Sequence, residues 1–282
     1  MCYYNGQKVT HTEFIRLKGI EKLVRNYDFL DRGVVQGFPY GNTAILKRKP
    51  GVEDFDIVQM EWGMIPDDWY GKPIETRADV NLFRFGDRSS PNKNFREPKL
   101  ALNFIGEEIM MNGKKFKDSA LHNRCLMLST GFFEWHHYYP VNKRTGLPNK
   151  TVSKIPYFIT LKNQPYFYFP AIWKPWTDKE TGEYVETVAN GTTTAKEHKM
   201  MEWIHNSKER MPTILTEDQA WEWMFGDLTE QRITELSTSQ YPMELMEAWP
   251  ADKDFKMAED PSKLYIYGED VPSLEKYLRG KL

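Results

Sequence analysis

The sequence predicts an α+β domain whose framework is antiparallel sheet. Three observations carry that prediction. Eight short apolar runs rich in β-branched and aromatic residues recur between Thr43 and Ala189, each bounded by polar or Gly/Pro-containing stretches. Helix-start signals occur only at intervals among and after them. The chain has 282 residues, 40% hydrophobic and 28% charged, with no internal repeat, which suits one large domain or two small ones.

Taken in order, Thr12–Arg25 places apolar residues at helical spacing and reads as an amphipathic helix. Strand-like runs follow at Thr43–Lys47, Asp56–Trp62, Lys99–Ile105, Arg124–Ser129 and Gly131–Tyr139. Pro156–Leu161 and Tyr166–Trp173 flank Lys162-Asn163-Gln164-Pro165, a four-residue polar connection that suits a hairpin, and Tyr184–Ala189 reads as a further strand. Thr194-Ala-Lys-Glu197 and Thr216-Glu-Asp-Gln219 both fit a capping box. The first of these helices is expected to reach about Ile204, leaving His205 at its C-terminal end. Pro272 and Gly280 bracket a last short helix. Polar stretches near 70–97, 140–154 and 177–183 read as insertions between strands. Residues 1–226 are expected to form the main domain and 227–282 an acidic, helical C-terminal extension.

Aromatic residues make up 14% of the chain, including nine Trp, which fits either a well-filled core or a surface that stacks on bases, the core being the simpler reading. No segment has the ~20 apolar residues of a membrane span, and the first residues lack a signal-peptide layout, so a cytoplasmic protein is expected. Two cysteines, Cys2 and Cys125, are too few for a disulfide scaffold or a zinc site of their own. The net charge of −2 is uneven: from Glu217 onward 15 acidic and seven basic residues stand together, so residues 1–216 carry +6. A mildly basic body is compatible with a nucleic-acid groove, and the acidic end reads as a solvated appendage.

Cys2 follows the initiator methionine, which is usually removed before a small residue. The exposed α-amino group would have an ordinary pKa of about 7.7–8.0 and be partly neutral near pH 7. A neutral amine forms a Schiff base with an aldehyde, and the thiol of the same residue can close on the imine carbon to give a five-membered thiazolidine. Glu134, in Gly131-Phe-Phe-Glu-Trp135, shares a strand face with Phe132, while Phe133 and Trp135 take the other. A carboxylate in such company is either paired or held as a general acid by an apolar site. His205 can interact with a helix dipole or shuttle protons. Asn103, in an apolar run, is a structural amide or a substrate-positioning group. Cys125 reads as a buried apolar filler, and His136 and His137 as surface residues rather than metal ligands. No metal or other cofactor is expected.

The succession Met1-Cys2, Trp62-Gly-Met-Ile-Pro66, Leu102-Asn103 with Glu107, Arg124-Cys-Leu, Gly131-Phe-Phe-Glu-Trp135, Ala171-Ile-Trp173, and His205 with Arg210-Met-Pro212 resembles the SOS-response-associated peptidase (SRAP) family. That resemblance implies a single α+β domain with antiparallel strands forming a barrel-like core, surrounding helices and covalent capture of abasic sites in single-stranded DNA. It implies that Cys2 forms the thiazolidine, Asn103 orients the amine and sugar, and Glu134 and His205 move protons. It also implies DNA contacts at Trp69, Arg210 and Arg124. The family usually has Gly-Arg where Tyr3-Tyr4 stand and an arginine at Ile105, and here Asp67-Asp68 precede Trp69. Phosphate attraction is therefore weaker, and Tyr3, Tyr4 and Phe104 are expected to compensate by stacking. The expected function is an abasic-site cross-linking monomer, with strand-cleaving lyase activity through the Schiff base as a possible accompaniment. An N-terminal-cysteine amidohydrolase or self-processing peptidase, and a divergent non-enzymatic binding protein, are the alternatives.

Overall fold

Alternation of buried and exposed side chains turns the first part of the chain into strands rather than a helix. The computed structural model describes residues 3–86, 97–113, 115–268 and 271–280. After β1 (Tyr4–Lys8), the segment expected to be an amphipathic helix forms a hairpin of β2 (Phe14–Leu17) and β3 (Ile20–Leu23). Lys18-Gly19 decides this. Both have positive φ, 48° and 80°, as a two-residue type I′ turn requires, and Ile15 and Leu17 are buried beneath the hairpin.

The chain continues through β4 (Asp31–Gln36), β5 (Asn42–Arg48), β6 (Phe55–Trp62) and a short pair, β7 (Asp68–Trp69) and β8 (Lys72–Pro73). The stretch near 70–97 is not simply a loop. It contains α1 (Arg77–Phe85), started by a reciprocal capping box between Thr76 and Asp79. An Asp in place of the usual Glu or Gln hid that signal. Of the run Lys99–Ile105 only β9 (Asn103–Ile105) is strand. Then come α2 (Lys117–His122), β10 (Arg124–Ser129), β11 (Gly131–Tyr138), β12 (Ser153–Leu161), β13 (Phe167–Thr177) and β14 (Tyr184–Thr194). Helix α3 (Lys199–Ile204) begins later than its expected start at Thr194, because Thr194 still pairs with Arg210 in β15 (Arg210–Pro212). His198 is its cap, with Nδ1 accepting from the Met201 N–H at 3.2 Å. Helix α4 (Glu217–Phe225) carries the predicted capping box of Thr216 and Gln219. It is followed by α5 (Glu230–Ser237), β16 (Met246–Pro250) and α6 (Leu274–Arg279), capped by Ser273.

Five strands close into a barrel in the order β13–β10–β5–β6–β14, with β14 pairing back onto β13. A ring with an odd number of strands cannot be antiparallel throughout. The parallel step falls between β6 and β14, where Thr187 faces Glu61 and Val188 faces Trp62. β9 and β15 extend the barrel sheet along β14. A second, antiparallel sheet has the order β16–β12–β11–β1–β4. The hairpin expected across 162–165 is absent, because β12 pairs with β11 and β16 while β13 pairs with β10 and β14. That connection instead carries the chain between sheets.

Buried amides tie the sheets together. Asn5 Nδ2 donates to the Leu128 carbonyl at 2.8 Å, and Gln7 both donates to that carbonyl (3.0 Å) and accepts from the Ala44 N–H (3.0 Å). The acidic C-terminal part is no solvated appendage: β16 pairs along β12, and Phe255 is fully buried, stacked on Phe133 at 4.1 Å. Its acidic residues pointed outward in composition, while Met246, Trp249 and Phe255 supply the packing. No helix among the described residues is long and apolar enough to cross a membrane.

Candidate active site

Strand alternation puts Phe132, Glu134 and His136 on the inner face of β11 and Phe133 and Trp135 on the outer one, as the sequence indicates. Glu134 lies opposite Tyr157 of β12 and is buried. Burial disfavours its charged form and pushes its carboxyl up to about 7. His205, the residue that ends α3, is also buried, and desolvation lowers its imidazole to about 4. Its Nε2 stands 3.7 Å from Glu134 Oε2. Its Nδ1 is 2.7 Å from the Arg210 carbonyl. A carbonyl only accepts, so Nδ1 carries the proton, and the neutral ring turns the Nε2 lone pair toward Glu134. Near neutral pH the site therefore holds a carboxyl able to give a proton beside an imidazole able to take one.

Cys2 lies outside the described residues. The approach to it is described. Asn5 pairs with Phe132 and Gly6 with Gly131, so each step back along β1 is a step along β11 toward Glu134. The Tyr3 carbonyl accepts from the Gly37 N–H at 2.9 Å, and Gly37 packs so tightly on Leu102 that an added Cβ would meet it at 2.8 Å. Tyr3 thus sits between the strand of Glu134 and the neighbour of Asn103. Asn103 pairs with Asn190 of β14 and donates to its side-chain oxygen at 2.8 Å. It lies on the rim of a cleft of about 450 Å³, lined also by Trp69, Tyr70, Leu100 and Ile105.

The expected DNA contacts divide. Trp69 is buried against Tyr70 and Phe83 while lining that cleft. Tyr3 is half-buried, 4.7 Å from the Phe38 ring. Four others hold the fold together. Phe104 is buried and stacked on Trp223 at 6.4 Å, so no base can reach its face. Tyr4 is buried among Trp135, Phe255 and Phe38. Arg124 donates to the carbonyls of Ala120, Leu121, Trp223 and Gly226, the ends of α2 and α4. Arg210 directs its guanidinium to Glu107, with two contacts of 3.0 Å, and to the Thr192 carbonyl at 2.7 Å. Asp67 and Asp68 are neutralised by Lys174 and Lys115.

One position read as exposed proves otherwise. His136 is buried rather than exposed, its ring stacked on Trp203 at 3.8 Å. Asn190 is a fully buried amide on β14 beside the half-buried Asn103, and it carries the same kind of sequence signal, a polar side chain next to an apolar run. Cys125 is buried, and its thiol is pushed well above the ordinary value by desolvation. No group of three or more potential metal ligands occurs among the described residues.

The Glu134–His205 pair imposes a particular pH dependence on stability. From its ordinary pKa of 4.5 up to about 7, folded Glu134 keeps a proton that the unfolded chain has released, so stability falls as pH rises. From about 4 to 6.5, folded His205 excludes a proton that the unfolded chain binds, so stability rises. The two slopes oppose each other and nearly cancel between 4.5 and 6.5. Glu134→Gln removes the falling one. The variant is expected to gain about 3 kcal/mol on the native protein between acidic and mildly alkaline pH, read by urea unfolding. A constant offset at every pH refutes this.

The sequence profile of the SOS response associated peptidase (SRAP) family matches residues 32–257. Two abasic site processing proteins of Bacillus subtilis (strain 168), YoqW and YobE, are each 29% identical to this chain over 142 residues. The match covers 50% of this chain and 56% of YoqW, so the chain spans a little over half the length of the curated relatives it matches. A solved protein from Bacteroides thetaiotaomicron superposes with a TM-score of 0.67 at 22% identity, over 94% of this chain and all of that one. A phage-related protein from Bordetella bronchiseptica gives 0.54 at 16%, over 89% and 95%. At those identities the likeness is one of fold.

Proposed function

The chain belongs to the SOS response associated peptidase family, and from that premise we propose that it processes abasic sites in DNA by capturing them covalently through Cys2. The observation that carries this reading is the buried Glu134–His205 pair at 3.7 Å, which β1 approaches when followed back toward the start of the chain. The B. subtilis relatives named as abasic site processing proteins support the same substrate.

In the proposed reaction, removal of Met1 exposes the α-amino group of Cys2. Its nitrogen adds to the C1′ aldehyde of the ring-opened abasic sugar, and the carbinolamine loses water to give an imine. The thiol sulfur then adds to C1′ while its proton passes to nitrogen, closing the thiazolidine. Amine, thiol and aldehyde become one ring and one water. Glu134, still partly protonated near neutral pH, gives a proton to the departing hydroxyl, and His205 Nε2 takes one from the attacking groups. Asn103, fixed by Asn190, orients the sugar. Tyr3 remains as a half-buried aromatic surface for a neighbouring base in a single strand, and Trp69 lines the cleft beside Asn103. The same imine would permit strand cleavage.

The test is a single-stranded oligonucleotide with one abasic site. A denaturation-resistant adduct is expected, absent with undamaged DNA and with Cys2→Ala. Cys2→Ser keeps the amine without the thiol, so its adduct should survive only after borohydride reduction. No adduct from the native protein, or one that persists in Cys2→Ala, overturns the reading.

A further inference from the structure

Three connections tie the inner face of β11 to the end of α3, on either side of the Glu134–His205 pair. The Trp203 ring stacks on His136 at 3.8 Å and 12°, and the Trp203 carbonyl accepts from His136 Nδ1 at 2.7 Å. His136 is the next side chain on Glu134's face, and Trp203 stands two residues before His205. On the far side of His205, the Asn206 side chain pairs with the backbone of His137: its Oδ1 accepts from the N–H at 3.0 Å and its Nδ2 donates to the carbonyl at 2.8 Å. An amide with one donor and one acceptor thus imitates a neighbouring strand on β11. From outside, Tyr277 of α6 packs on Trp203 at 5.7 Å, and Tyr157 meets the same ring edge-on at 5.5 Å. Helix α6 lies beyond the stretch matched by the family profile.

We propose that Trp203 and Asn206, backed by Tyr277, form a clamp that sets the Glu134–His205 spacing, and so act as positioning residues for the proton transfers of this site. The inference rests on the reading of that pair given under Proposed function. The geometry favours it because neither partner can shift without breaking the clamp. Glu134 lies on a strand and His205 at a helix end, and Trp203 and Asn206 link the two elements by polar and stacking contacts on either side of the pair. A displacement of about 1 Å at a reacting group can cost up to about a hundredfold in rate. Of the groups around the pair, His137 and Lys208 also bear on the charge of His205, and neither is altered in the variants below.

Asn206 is exposed and Tyr277 half-buried, so Asn206→Ala and Tyr277→Ala should fold. Each is expected to lower the adduct-forming rate at saturating abasic oligonucleotide about tenfold, with the half-saturating concentration unchanged. Trp203→Phe, which keeps an aromatic face on His136, should stay within about threefold of native. In parallel, the carboxyl of Glu134 is titrated by carbon NMR without DNA. In the two alanine variants its midpoint should drop from about 7 toward the ordinary 4.5, as water reaches a loosened site. Folded variants with native rate and native titration overturn the clamp, as does a loss confined to the half-saturating concentration. If the native protein forms no adduct, the proposed function falls, and the DNA-free titration still decides for or against the clamp.

Discussion

Glu134→Gln is expected to slow adduct formation by about 10²–10⁴-fold while leaving the protein folded. Glutamine matches the carboxyl in shape and fills the same buried position, so the packing around Tyr157 and His205 survives. What disappears is the transferable proton. The pH profile makes the loss specific. In the native protein the attacking amine must be neutral, so the rate rises toward its ordinary pKa of about 7.7–8.0. The acid must be protonated, so the rate falls as Glu134 ionises at about 7. The native profile is therefore bell-shaped, with its descending limb belonging to Glu134. In Glu134→Gln only the rising limb should remain. Single-turnover rates across the neutral range decide it. A variant within a few-fold of native, or one that keeps the descending limb, removes Glu134 from the chemistry.

The pair at the centre of this prediction is partly legible in the amino-acid sequence. Alternation around Glu134 is a property of strands, and the face it predicted is the face observed. The sequence places His205 at a helix end, where it stands, although the cap of that helix is His198 rather than Thr194. Local signals reached that far because they depend on neighbours in sequence. The barrel closure and the pairing of β16 on β12 depend on partners far along the chain, for which composition offers no register. Arginines and aromatics illustrate the same limit. Arg124, Arg210, Tyr4 and Phe104 have the chemistry of DNA contacts, yet Arg124 closes two helix ends and Phe104 fills the space beneath Trp223. Residue type cannot distinguish a guanidinium that meets phosphate from one that meets carbonyls. Arg210 still serves the site, through its backbone carbonyl, a group every residue has. The hairpin at Lys18-Gly19 was hidden for a different reason. Its apolar residues satisfy helical spacing as well as strand alternation, and only the glycine in the turn separates the two.

Phe255→Ala is expected to cost about 3–5 kcal/mol, the largest stability loss foreseen for a residue in the acidic C-terminal part. Phe255 is fully buried, stacked on Phe133 at 4.1 Å and 14°, with Trp135 and Tyr4 each 5.8 Å away. These rings cover the outer face of β11, behind Glu134, so truncation opens a cavity that two sheet residues and β1 cannot fill without moving the strand. The segment from 227 onward therefore supports the site's strand from the side opposite the chemistry. Its contribution should appear as a lower unfolding midpoint, while the adduct-forming rate of the folded fraction keeps the native pH profile, since Glu134 and His205 stay on the inner face. A loss below about 1 kcal/mol would mean that the cavity collapses at little cost and that β11 does not depend on this segment. A native midpoint with an altered pH profile would mean that the outer rings act on Glu134 directly, against the division of faces described here.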